Sequence, residues 1–130
     1  MSYRYYSTQR PVAPGTFPKP QGNKVIEVKN FDTPRYFDSI GDDAWGYIDY
    51  EHILDNHEAE QYELTIPYDF TFEFSFSKDE PYTQTFEASC YSDAWYQAIE
   101  HMKIYKLCEP DKDDNFLMQI EWLATEQRKF

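Results

Sequence analysis

Residues 69–77 read DFTFEFSFS. Phe70, Phe72, Phe74 and Phe76 recur at every second position, with Thr71, Glu73 and Ser75 between them. A period of two puts the four rings on one face of a β-strand and the polar side chains on the other, the pattern of a half-buried antiparallel strand. A ring-lined face needs a second layer to cover it, and the residues downstream supply one. KDEP is a turn, and YTQTFEAS returns antiparallel with Tyr82, Phe86 and Ala88 on one face. SDAWYQAIEHMKIYKL then reads as a helix capped by Ser92, with Asp93 at its start and Lys103 and Lys106 near its end, as the helix dipole favours. Trp95, Ala98, Ile99, Met102 and Tyr105 form one apolar stripe on it. Glu109-Pro110 ends the helix, and DKDDN is a polar loop. In FLMQIEWL, Met118, Ile120 and Trp122 alternate with Gln119 and Glu121, which predicts a strand; a helix capped by Asp114 is the other reading.

Upstream, YRYYS predicts a first strand, because the tyrosines favour extended backbone. Pro11, Pro14, Pro18 and Pro20 forbid helix and central-strand pairing, so the segment that follows is extended and lies along a sheet edge or over the core. KVIEVKNF is a second strand, and Pro34 breaks the chain after it. RYFDSI and AWGYIDYE make a hairpin around Gly41-Asp42-Asp43, with Ile48 and Tyr50 on one face and Trp45 and Tyr47 on the other. In LDNHEAEQYEL, Asp55 or Asn56 caps a short helix with Glu58 in its first turn.

The expected class is α+β. An antiparallel sheet packs on one main helix, the chain ends in a β-β-α-β unit, and a short acidic helix is added. One domain spans 1–130, with an edge strand and proline-rich segment over 1–23, an acidic hairpin and short helix over 24–67, and the β-β-α-β region over 68–130. The core is built from rings, since the chain has ten Phe, twelve Tyr and three Trp.

Charge is distributed unevenly. Residues 1–35 carry six Lys/Arg and two acids, residues 36–77 carry eleven acids and no Lys or Arg, and the whole chain is −12. Such a protein is repelled by nucleic acid and by anionic membrane and is attracted to basic protein surfaces. The aromatic strand is therefore core rather than a base-stacking platform, which needs a positive groove. MSYRYYSTQR has no apolar run of a secretory signal, and no stretch is long enough to span a membrane. Cys90 and Cys108 flank the main helix, too far apart for a disulfide, which implies reduced thiols in a cytoplasmic protein.

Motifs for chemistry fail one by one. Asp111, Asp113 and Asn115 match the start of a calcium loop, but Phe116 and Trp122 stand where the turn glycine and the bidentate glutamate are needed. His52 and His57, beside Asp55 and Glu58, are five apart, where zinc helices use four; His101 is isolated. There is no glycine-rich phosphate loop, nucleophile elbow or cysteine–histidine pattern. No catalytic residue, metal or cofactor is expected, and the protein is read as a non-enzyme.

The acidic tract is the candidate site. Asp42, Asp43, Asp49 and Glu51 around the hairpin, and Asp55, Glu58, Glu60 and Glu63 on and beside the short helix, are expected on exposed elements. Trp45 and Tyr47 are candidate aromatic anchors. Spaced carboxylates on a rigid scaffold can imitate phosphates in a nucleic-acid-binding groove of another protein.

RYYSTQRPVAPGTFPKP, followed by VKNFD, AWGYIDYE and AEQYEL, resembles a family of small acidic proteins encoded on plasmids, prophages and integrative elements of Firmicutes, over about residues 3–65. That setting implies a mobile-element accessory role, with anti-CRISPR and antirestriction factors among such neighbours. The expected function is thus inhibition of a basic, nucleic-acid-binding host-defence protein, a Cas9-type nuclease or a restriction enzyme, without direct nucleic-acid contact. The alternative is a regulatory or structural module of conjugation or replication machinery that binds through its aromatic and proline-rich surface.

Overall fold

The computed structural model describes residues 1–76, 80–108 and 118–130. Residues 78–79 of the KDEP turn, Glu109-Pro110, the Asp111–Phe116 loop with its Asp114 cap, and the side chains of Phe76, Tyr105, Lys106 and Cys108 lie outside the described residues. The elements are β1 (Tyr3–Ser7), β2 (Val25–Phe37), β3 (Asp42–Tyr50), α1 (Asn56–Gln61), β4 (Leu64–Thr65), β5 (Tyr68–Phe76), β6 (Tyr82–Ala88), α2 (Tyr91–Cys108) and β7 (Met118–Gln127). All strand pairs are antiparallel and the class is α+β. The strands divide between two sheets, ordered β2-β3-β1-β4 and β6-β5-β7.

The ring alternation of 69–77 forms β5 as its period implies. Phe70, Phe72 and Phe74 are buried on one face, and Ala94 and Ala98 of α2 pack over them. Residues 118–127 form a strand beside β5, which settles the choice between strand and helix. The helix itself is rotated relative to the expected stripe. Its buried residues are Ala94 and Ala98, followed by the half-buried His101, whose ring lies 4.8 Å from Phe74 and whose Nε2 shares a 2.8 Å hydrogen bond with the Tyr82 hydroxyl. Trp95 sits on the flank, 37% exposed. The rings of the sheet already fill the interlayer space, so the helix presents alanines there. Ser92 is not the cap: the helix begins at Tyr91, and the Cys90 carbonyl accepts from the Ala94 N–H at 3.2 Å.

Two expectations for the first sheet are corrected. β1 is not an edge strand, since it lies between β3 and β4. Tyr5 and Tyr6 point to opposite faces and both are buried, so both faces of the sheet are covered at β1. Nor does Pro34 break the chain. β2 runs through it, because β2 is at the sheet edge and its register shifts between Asn30 and Arg35, where a residue without an N–H is tolerated.

The proline-rich segment covers the core, as expected. Val12 and Phe17 are buried with Tyr5, Ile48, Tyr50, Leu54, Ala59 and Leu64, and the Tyr50 hydroxyl donates to the Pro18 carbonyl at 2.6 Å. Glycine is required at position 46. A Cβ there would lie 2.0 Å from the Lys29 carbonyl oxygen and 3.0 Å from Val12 Cγ2. The hairpin turn is shifted to Asp38–Gly41, with Gly41 at φ 64 and its N–H donating to the Phe37 carbonyl at 2.9 Å.

Residues 1–3 and 128–130 tie the two sheets together. The Ser2 N–H donates to the Phe130 carbonyl at 2.7 Å and the Phe130 N–H donates back at 2.8 Å. Arg128 bridges Asp69 of β5 at 3.0 Å and Glu87 of β6 at 2.6 Å. Among the described residues, no helix is long and apolar enough to cross a membrane.

Burial pushes the hydroxyls of Tyr5, Tyr50 and Tyr68 above the ordinary tyrosine value; for Tyr5, the hydrogen bond donated by the Leu54 N–H opposes the shift. A pKa raised in the folded state gives stability that is intact below the unfolded value near 10 and is lost as pH rises above it. The expected result is alkaline unfolding that steepens above pH 10, by up to about 1.4 kcal/mol per pH unit for each of the wholly buried Tyr5 and Tyr50 and by less for the partly exposed Tyr68. Urea titrations from pH 8 to 11 measure it, and Tyr50→Phe is expected to shallow the slope.

Candidate functional site

β3 sets the spacing of the acidic residues. At about 3.3 Å per residue its two ends are roughly 25 Å apart. Asp42 and Asp43 stand exposed at the first end, where an Asp42 carboxylate oxygen accepts from the Asp43 N–H at 2.7 Å. Glu51 follows the other end, its N–H donating to the Lys24 carbonyl at 2.9 Å, and the chain then enters α1. Asp55 caps α1, accepting from the His57 N–H at 2.8 Å. Glu58 lies partly buried in the first turn, and Glu60 is exposed. Glu63 ends the helix with φ 54, a left-handed position that costs a non-glycine residue about 1–2 kcal/mol. Its carboxylate pairs with Arg10 of the proline-rich segment at 3.2 Å. The tract thus forms two acidic groups, one at each end of β3, rather than one hairpin cluster.

Asp49 is not an exposed contact residue. It is 3% exposed, and Arg4 grips it with two bonds, Nε to Oδ1 at 2.9 Å and Nη2 to Oδ2 at 3.1 Å. The Arg4 guanidinium lies 3.7 Å from the Tyr47 ring centre and 4.3 Å from that of Phe130. Burial pulls the Arg4 pKa down, but hydrogen bonds to Asp49 and Tyr6 and the Asp49 charge outweigh it, and the net shift is upward. Tyr47 is equally committed, its ring centre 6.0 Å from Tyr6 and 6.3 Å from Phe37. Of the two candidate anchors, Trp45 and Tyr47, both are half-buried, and Tyr47 is part of the packing around Arg4.

Beside α1 the fold creates a recess of about 280 Å³, lined by Asn56, Ala59, Glu60, Leu64, Ile66 and Tyr68. Its walls are shared about equally by apolar side chains and polar groups, an amide, a phenol and a carboxylate among them. That combination suits a long side chain with a cationic head, whose stem takes the apolar wall. No periodicity reveals it, because its lining comes from a helix, a two-residue strand and the start of the other sheet. Sequence reasoning also missed an exposed ring group. Tyr91 and Trp95 are stacked, 6.3 Å apart with planes at 13°, and Trp122 meets Tyr91 edge-on at 6.1 Å. Among the described residues no three His, Cys, Asp or Glu side chains converge as metal ligands, and Cys90 is a free, exposed thiol.

The model of the Defence against restriction A C-terminal family matches residues 1–69. The match takes in the whole four-stranded sheet, α1 and every residue of the acidic tract from Asp42 to Glu63, and it ends as β5 begins. No curated protein and no solved structure matches the chain. With more than half of its 130 residues matched, and those residues forming one complete sheet, the chain belongs to the Defence against restriction A C-terminal family, an anti-restriction family.

Proposed function

We propose that this protein is a non-enzymatic inhibitor of a nucleic-acid-binding host-defence protein, and that it acts by protein–protein contact through the acidic groups at the two ends of β3. A restriction enzyme is the first candidate partner and a Cas9-type nuclease the second. The observation that carries the reading is the coincidence of the anti-restriction family match with the sheet that displays these acids. The 36–77 stretch has eleven acids and no Lys or Arg, and of the exposed acids from Asp42 to Glu63 one, Glu63, is paired with a cation, Arg10, so a basic DNA-binding groove meets attraction. The separation of about 25 Å corresponds to roughly seven steps along a DNA strand at 3.4 Å each, a spacing that a nuclease channel already accommodates. The recess beside Glu60 would receive a lysine or arginine of that groove.

The test is cleavage of unmodified or targeted DNA by a panel of restriction enzymes and a Cas9-type nuclease, with and without the protein. Inhibition of at least one is expected. Asp42→Lys with Asp43→Lys, and Glu51→Lys with Glu60→Lys, should each weaken it about tenfold or more, one close charge pair being worth about 1.5 kcal/mol at such interfaces. Inhibition should also fade in high salt, since charges are screened over about 8 Å at physiological strength. No inhibited nuclease, or full inhibition by both reversed variants, would sink the proposal.

A second reading has its own observation. Tyr91, Trp95 and Trp122 are exposed and lie outside the matched 1–69. A partner in conjugation or replication machinery docking on those rings would be captured equally well at low and high salt.

A further inference from the structure

Among the described residues nothing pairs with the outer edge of β2, which carries both signs of charge. β2 ends the first sheet, and its longest run of regular pairing with β3 covers four residues, Glu27↔Asp49, Val28↔Ile48, Lys29↔Tyr47 and Asn30↔Gly46, with a second run over Arg35–Phe37. Register shifts flank this run on both sides, between Val25 and Glu27 and between Asn30 and Arg35. Within it the Lys29 carbonyl is turned toward Gly46 of β3, so close that a Cβ there would meet it at 2.0 Å. Backbone groups of successive strand residues point to opposite sides. The N–H and C=O of Val28 therefore face away from the sheet. Val28 is 43% exposed, as is Ile26 at 51%, and Glu27 and Lys29 pair at 3.6 Å along the exposed strand.

We propose that this edge pairs with the same edge of a second copy of the chain, in an antiparallel two-fold arrangement centred on Val28. At that centre each Val28 N–H donates to the Val28 carbonyl of the other copy, which satisfies groups the isolated sheet leaves to solvent. The same register sets Glu27 opposite Lys29, twice, so the existing in-strand pairs join into a four-charge square. Ile26 falls opposite Asn30. Charge complementarity favours a second copy here over any other surface of a −12 molecule. Residues 24–37 hold Lys24, Lys29 and Arg35 against Glu27 and Asp32, so this is a nearly neutral strip along which two copies approach without repulsion. The flanking register shifts bend the edge beyond residues 27–30 and limit pairing to one closed contact rather than an open sheet.

Sedimentation velocity and light scattering from 10 µM to 1 mM, with hydrogen exchange of the Val28 amide at both extremes, test the pairing. The expected result is a dimer fraction that grows with concentration and Val28 protection that grows with it. Val28→Pro removes an outward N–H, so the thermal midpoint at the lowest concentration should hold while the dimer at the highest is lost. Lys29→Glu puts like charges opposite and should weaken dimerisation at least tenfold, and Glu27→Lys with Lys29→Glu should restore it. A monomer at every concentration overturns the proposal, as does a dimer indifferent to Val28→Pro and Lys29→Glu. If the wild type stays monomeric but Val28→Pro weakens binding to an inhibited nuclease, the edge receives a partner's strand, and the self-pairing is wrong.

Discussion

Replacing Arg4 by methionine is expected to cost about 3–5 kcal/mol, because it leaves the Asp49 carboxylate, only 4% exposed, as an unpaired buried charge. The reverse removal, Asp49→Leu, should cost less, about 1–3 kcal/mol. The Arg4 side chain is 20% exposed and rests against Tyr47 and Phe130, so its head can turn toward water while its stem stays packed. Arg4→Met with Asp49→Leu should recover most of the loss, since an apolar pair of similar volume avoids the desolvation of both ions. Urea unfolding of the four proteins closes the double-mutant cycle. A loss below about 1 kcal/mol for Arg4→Met would place the pair among ordinary surface ion pairs. Arg4→Lys should not substitute, because an ammonium cannot make the paired Nε and Nη2 contacts or stack on the rings. The cycle also separates structure from contact. Asp49 is buried, so Asp49→Asn should inhibit a susceptible nuclease as well as the wild type does per folded molecule, while Glu51→Lys with Glu60→Lys should not.

What the chain declared about itself depended on how local the cause was. The β5 rings, the β6 return, the Asp55 cap and a strand in FLMQIEWL each follow from spacing of two residues or from one capping side chain, and each is found, the last as β7 over Met118–Gln127. The misplaced features all hang on distant partners. β1 was expected at an edge because prolines follow it, yet its position is decided by β4, a two-residue strand sixty residues away. Pro34 is allowed in β2 because, among the described residues, nothing pairs on its outer side. Asp49 looked like its neighbours in an acidic run, and it is set apart by Arg4, which shares its cross-strand position. The same alternation that placed Tyr47 beside Asp49 on one face of β3 could not say that a cation and Phe130 would cover that face. Recess and ring group were illegible for the same reason, being assembled from elements far apart in the chain.

Phe72→Ala is expected to cost about 3–5 kcal/mol. The ring is wholly buried at the centre of β5, and its centre lies 6.0 Å from both Tyr91 and Trp95 and 6.1 Å from Phe86. Its truncation opens a cavity against two alanines of α2, which have no atoms to fill it. Thr71→Ala, on the opposite face, loses one hydroxyl contact with Thr85 at 3.0 Å and should cost no more than about 1.5 kcal/mol. Guanidinium titrations followed by far-UV and near-UV circular dichroism compare the two, and a Phe72→Ala loss near that of Thr71→Ala would mean that the ring cluster closes over the gap. The same variant bears on function. Phe72 lies beyond the matched 1–69 and in the sheet that carries none of the exposed acids of 42–63. Where enough of the variant remains folded, it should therefore inhibit a susceptible nuclease at wild-type strength. A selective loss of inhibition by folded Phe72→Ala would shift the contact surface to Tyr91, Trp95 and Trp122, the rings that Phe72 supports.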